Sequence, residues 1–193
     1  MKINNIFLLC LILTFAGCAG PKNVDTYYYQ LTVNQASRTY DTNLSLVIGP
    51  VSTPEVLKRR AVVSYGKSKT NLIIPNTQFW AGDLRELMLD TIELDLKSLF
   101  PNGNIYTFKS QQNNQVQYKL EIQMQEFAGH ISQNVFLAAD WQVINQDNEV
   151  LIQSTSAFTQ ELMNKGYSAY TLALSNLLGQ LTNEIARELD NLE

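Results

Sequence analysis

Between residues 116 and 125 the chain reads VQYKLEIQMQ, with an apolar side chain at every second position. Successive side chains of a strand point to opposite faces, so this alternation predicts a long strand with one face in a core and the other in water. Such a face must be covered, so the remainder of the chain has to supply a second layer. Phe127 falls out of phase, which predicts a bulge near Gln125–Glu126. NVFLAADWQVI (134–144) and VLIQSTSAFTQEL (150–162) continue as strands, with the polar turn NQDNE between them. Three consecutive strands joined by short loops imply an antiparallel meander.

Two apolar stripes at helical spacing are the candidates for the covering layer. Within Trp80–Phe100, residues Trp80, Leu84, Leu87, Met88, Ile92, Leu96 and Leu99 share one helix face, and Pro101-Asn102-Gly103 ends it. A last helix begins near Ser168, an N-cap residue after Gly166, with Tyr170, Leu174, Leu177, Leu178, Leu181, Ile185 and Leu189 on its apolar side. Upstream, YYYQLTV (27–33) and LSLVIGPV (44–51) read as strands, RRAVVSYG (59–66) and NLIIP (71–75) as a hairpin around KSKT, and NIYTFKS (104–110) as another strand followed by the loop QQNNQ. The expected fold is α+β, a mostly antiparallel sheet with two amphipathic helices packed on one face.

The amino terminus, MKINNIFLLCLILTFAGC, carries Lys2 and then an apolar run from Ile6 to Phe15. That run is short of the roughly 20 residues a spanning helix needs and suits a secretory signal. Ala16-Gly17 before Cys18 resembles a bacterial lipobox, with Phe15 where Leu is commonest. The resemblance implies cleavage before Cys18, acylation of its thiol and, with Ala19 rather than Asp following, sorting to the outer membrane on its periplasmic side. Residues 1–17 are then the signal, 18–26 a lipidated tether and 27–193 a single domain. Cys10 leaves with the signal, so an acylated Cys18 leaves no free thiol and no disulfide. The 176 remaining residues carry 13 basic and 18 acidic side chains, a net charge of −5. A nucleic-acid partner would call for a basic face, and none is expected.

Catalytic patterns are missing from the sequence. His130 is the single histidine, in EFAGHISQN between two strands, and reads as an exposed turn residue. There is no P-loop, G-x-S-x-G elbow or G-x-G-x-x-G fingerprint. The acidic pairs Asp83/Glu86 and Glu184/Glu188 sit beside Arg85 and Arg187 on solvated helix faces. Neither a catalytic residue nor a metal nor a cofactor is expected, and the chain reads as a binding or structural component rather than an enzyme.

Taken in order, YYYQLTV, LVIGPVSTPEVLKRRAVVSYG and FWAGDLRELMLDTIELDLKSLFP resemble the ABC-type transport auxiliary lipoproteins, in particular the PqiC-like group. Pro50, Pro54, Leu57 and Arg59 or Arg60 fit that group's second motif, and Trp80, Ala81 and Leu84 fit its helix start. Trp141 fits a later strand, and Leu181, Ile185, Ala186 and Leu189 the final helix. WAGDL stands where the group usually has WAEPL, and the additional basic residue leaves the equivalent arginine open between Arg59 and Arg60. The resemblance implies an outer-membrane lipoprotein of a Pqi-type lipid transport system. Its implied partner is a PqiB-like MCE protein whose periplasmic tube it would dock, in support of membrane integrity. A symmetric tube is most simply met by a ring of this chain, a homo-oligomer. Arg59 and Arg60 are the partner-interface candidates, since Arg is enriched at hot spots. Pro50, Pro54, Leu57, Trp80 and Trp141 are read as structural, with the two prolines shaping a strand exit. The alternative is an envelope assembly or activator factor with the same address.

Overall fold

The structure, a computed structural model, describes residues 24–34, 38–110 and 116–192. Cys18, the signal segment 1–17 and the loop 111–115 lie outside them. The meander is present: β7 (Tyr118–Gly129), β8 (Asn134–Asn145) and β9 (Val150–Glu161) pair antiparallel in sequence order. The β7–β8 register shifts between Met124 and Glu126, the bulge that the misphased Phe127 predicts. After it Phe127 is buried, in phase with Leu120, Ile122 and Met124. At the β8–β9 turn, Asn145 Oδ1 accepts from the backbone of Asp147 and Glu149, and Asn148 takes φ 63°. Asn tolerates that left-handed conformation better than most residues.

The sheet is mixed rather than mostly antiparallel. Its order is β6-β2-β7-β8-β9, with β2 (Ser45–Ser52) parallel to both β6 (Asn104–Thr107) and β7. Periodicity reports which residues share a face and says nothing of strand direction, so the insertion of β2 between two later strands was not readable from it. Pro50 does not end β2. The strand runs on to Ser52 through an irregularity between Ile48 and Val51, past the point where β6 stops at Thr107 opposite Ile48. A residue without an N–H is tolerated at such a lapse in the ladder.

Helix α1 (Leu84–Leu99) starts at Asp83, whose carboxylate accepts from the Arg85 backbone N–H at 2.9 Å. Trp80 lies outside it, at the end of β5 (Gln78–Trp80), because the extended Asp83 cap separates the two elements. Helix α2 (Tyr167–Asp190) begins one residue before the expected Ser168, and its cap is Gly166 at φ 101°, a conformation that glycine adopts without strain. The stripes of both helices share one core with the inward residues of the sheet, among them Leu46, Ile48, Leu120, Ile122 and Val143. Trp141 is in that core, 2% exposed, and its indole N–H donates to Ser156, whose hydroxyl donates to Glu184 of α2.

Strand β1 is shorter than YYYQLTV suggests. It comprises Tyr27–Tyr29 and pairs parallel with β5. Beyond it, side chains rather than a neighbouring strand take the backbone donors: Thr32 N–H donates to Ser175 Oγ and Asn34 N–H to Asp95 Oδ1 at 2.8 Å. The Asn34 amide donates to the Ser175 carbonyl and lies over Gly179, where a Cβ would come within 2.2 Å of its nitrogen. Asp95 is buried between these groups with its second oxygen unpartnered. Burial raises its carboxyl above the ordinary value, against the opposing effect of the Asn34 hydrogen bond.

Candidate functional site

Residues 53–80 form the end of the molecule at which α1 and α2 begin. Pro54 opens a 3-10 turn, Glu55–Lys58, that buries Leu57 and leaves Lys58, Arg59 and Arg60 exposed. The chain then runs beside β5: Trp80 N–H donates to the Arg60 carbonyl at 2.7 Å, and Val62 N–H to the Gln78 carbonyl at 2.9 Å. The expected hairpin reduces to β3 (Ser64–Tyr65) against β4 (Leu72–Ile73), antiparallel. The rest of RRAVVSYG is occupied by the contacts to β5.

Two fastenings hold this end to the sheet. The Tyr170 hydroxyl, buried at the start of α2, donates to the Val63 carbonyl at 2.8 Å and accepts from the Gly129 N–H at 3.0 Å. Burial pushes its ionisation well above the ordinary tyrosine value. Tyr65 donates to Glu126 at 2.6 Å, and Lys69 donates to the same oxygen at 2.7 Å while standing 3.8 Å from the centre of the Phe136 ring. Burial first, and then the Glu126 carboxylate, raise the Tyr65 ionisation too. Lys58 is tied to Glu55, and the Arg85 guanidinium holds the Asp83 carboxyl below its usual range.

Among the described residues Arg59 and Arg60 make no ion pair. The Arg60 guanidinium lies 5.8 Å from the centre of the Tyr28 ring, and Tyr28 in turn lies 6.0 Å from Phe79. Lys58, Arg59, Arg60 and Asp83 border an open depression of about 310 Å³. Tyr28, beside Arg60, is 59% exposed, and Tyr27 of β1 and Leu72, Ile73 and Ile74 at β4 are exposed as well. Leu57, Trp80 and Trp141 are all buried in the one hydrophobic core, as packing anchors. Sequence reasoning marked the arginines but missed Leu72–Ile74. The signal was available: NLIIP is an apolar run without alternation, and a two-residue strand cannot bury it.

The other concavities differ in kind. A groove of about 390 Å³ on the outer side of the sheet is bordered by Glu121, Gln123, Asp140, Gln142 and Thr155. Several of its polar groups pair with one another: Gln142 donates to Glu121, and Thr155 to Asp140, both at 2.7 Å. A second, of about 470 Å³, lies under the β3–β4 turn beside Lys67, Lys69 and His130. His130 is half-buried, and its Nδ1 is engaged by the Ser132 backbone and hydroxyl. Among the described residues no group of three His, Cys, Asp or Glu is arranged to hold a metal.

The sequence pattern of the family described as ABC-type transport auxiliary lipoprotein component matches residues 29–186. The chain is 26% identical over 183 residues to the Intermembrane transport lipoprotein PqiC of Escherichia coli (strain K12), covering 93% of this chain and 94% of the relative. The PqiC of Shigella flexneri matches with the same figures. Two crystal structures share the fold. An uncharacterized protein superposes with a TM-score of 0.73 at 23% identity, over 86% of this chain and 99% of its own. A protein from Xanthomonas campestris gives 0.70 at 14% identity, over 86% of this chain and all of its own.

Proposed function

This chain belongs to the ABC-type transport auxiliary lipoprotein family, and from that premise we propose that it is the outer-membrane lipoprotein of a Pqi-type intermembrane lipid transport system. In this reading residues 1–17 are removed and Cys18 is acylated. Residues 18–26 then tether the domain to the periplasmic leaflet, where it meets the end of a PqiB-like MCE tube. The observation that carries the reading is the near end-to-end match to two proteins named as intermembrane transport lipoproteins, at 93% of this chain and 94% of theirs. A match confined to the core strands would have argued only for a shared fold.

Mechanistically the domain works by position. A lipid anchor at one end confines the domain to a thin layer beside the membrane, which raises its effective concentration at any tube end that reaches there. Arg59 and Arg60 are exposed and uncommitted, which suits them to contact a partner. A ring of copies would match the symmetry of a tube. The test is isolation of the acylated chain from membranes after mild cross-linking. An MCE protein should be recovered with it, and recovery should fall in an Arg59→Glu/Arg60→Glu variant. Isolation of acylated, folded chain with no MCE protein would sink the docking role.

A further inference from the structure

Exposed apolar side chains at this end of the molecule sit where the tether emerges. The first described residue, Val24, is 66% exposed, and Tyr27 N–H already donates to the Thr77 carbonyl at 2.8 Å. Leu72, Ile73 and Ile74 run through residues 75–77 into β5, which carries Phe79 against Tyr28 and pairs with β1 itself. Tether exit and aromatic pair therefore adjoin, and the aliphatic trio precedes β5 in the same run of chain. Cys18 precedes Val24 by six positions, a span of at most about 20 Å even when fully extended.

We infer that this end is a bilayer-contact surface, in which Tyr28 and the Leu72–Ile74 segment enter the headgroup layer of the membrane. The inference rests on the acylated Cys18 of the proposed function, because it is the short tether that brings this end rather than the opposite one to the membrane. Its composition fits that occupant. Tyrosine places an apolar ring in the layer and its hydroxyl in water. A protein partner could also cover exposed apolar groups, but the tether length selects the bilayer, since a surface starting this near the anchor faces lipid first.

The test uses the full chain, made in a host that processes lipoproteins and reconstituted into vesicles of phosphatidylethanolamine and phosphatidylglycerol containing brominated phosphatidylcholine. Trp80 and Trp141 are buried, at 3% and 2% exposure, so a Tyr28→Trp variant adds surface emission to a shielded background. That added emission should shift to shorter wavelength and lose most of its intensity to the bromines. The emission of a Leu94→Trp variant, at an exposed position past the middle of α1, should not. Adding Ile73→Ser/Ile74→Ser to Tyr28→Trp should restore emission. Intact mass on the same samples reads acylation of Cys18. Acylated, vesicle-bound protein whose Tyr28→Trp emission is quenched no more than that of Leu94→Trp overturns the inference and leaves the anchor standing. Unacylated protein in the supernatant brings down the anchor reading and this inference with it. Tyr28→Trp emission shielded from aqueous acrylamide without vesicles, and indifferent to bromine with them, assigns the surface to protein contact and overturns the inference.

Discussion

Strands β7, β8 and β9 run for 12 residues each, whereas β1, β3, β4 and β5 run for two or three. In the meander the inward side chains of β7 and β8 have strand neighbours on both sides, β9 forms the sheet edge, and several outward polar groups pair with one another. At the other end the chain is held by isolated atoms, chiefly the Tyr170 and Tyr65 hydroxyls, and aliphatic residues remain outside. The contrast teaches that ladder pairing and burial are separable. The inner strands β7 and β8 bury nearly every second residue. The edge strand β9, paired to β8 along its length, still leaves Val150 and Leu151 exposed, and the point-pinned segment does the same with Leu72–Ile74.

Trp141→Ala should give the largest effect. It leaves a cavity in the main core and strips Ser156 of its donor, at a cost of about 3–5 kcal/mol, and thermal melting should shift for the whole domain in one transition. Tyr170→Phe should cost about 1–3 kcal/mol by leaving the buried Val63 carbonyl and Gly129 N–H unpaired. Hydrogen exchange should then quicken at residues 60–66 and 128–130 while the middle of the meander stays protected. Equal quickening throughout would erase the distinction between the two regions.

Asp95 offers a finer probe. Its carboxyl lies above the ordinary 3.8 because burial disfavours the charge. Just above that value the folded chain keeps a proton that the unfolded chain has lost, so this group adds stability as pH falls through the window. Most paired carboxylates act in the opposite sense. Asp95→Asn should abolish that increment in a series of melting temperatures against pH. Smallest of all, Arg59→Gln/Arg60→Gln should change stability by less than about 0.5 kcal/mol, for both side chains are in solvent. A larger loss would show that they fasten this end to the body.

The same division decides what could be read in advance. Val116–Met124, the bulge before Phe127, the β8–β9 turn and the two helix stripes were legible because each is a local pattern with one physical solution. The direction of β2 was not, since alternation is the same for parallel and antiparallel neighbours. Trp80 was assigned to a helix because spacing alone cannot see the Asp83 cap that separates it. Arg59 and Arg60 stood out as charges, whereas Leu72–Ile74 passed for ordinary strand residues. Their exposure among the described residues is a property of the fold.

The placement of β2 also has a consequence in time. Both strands that flank it come later in the chain, β6 after the whole of α1 and β7 later still, so β2 has no ladder partner until they are made. Pairings between such distant segments close slowly. Completion of the sheet is therefore a late event that waits for the second half of the chain.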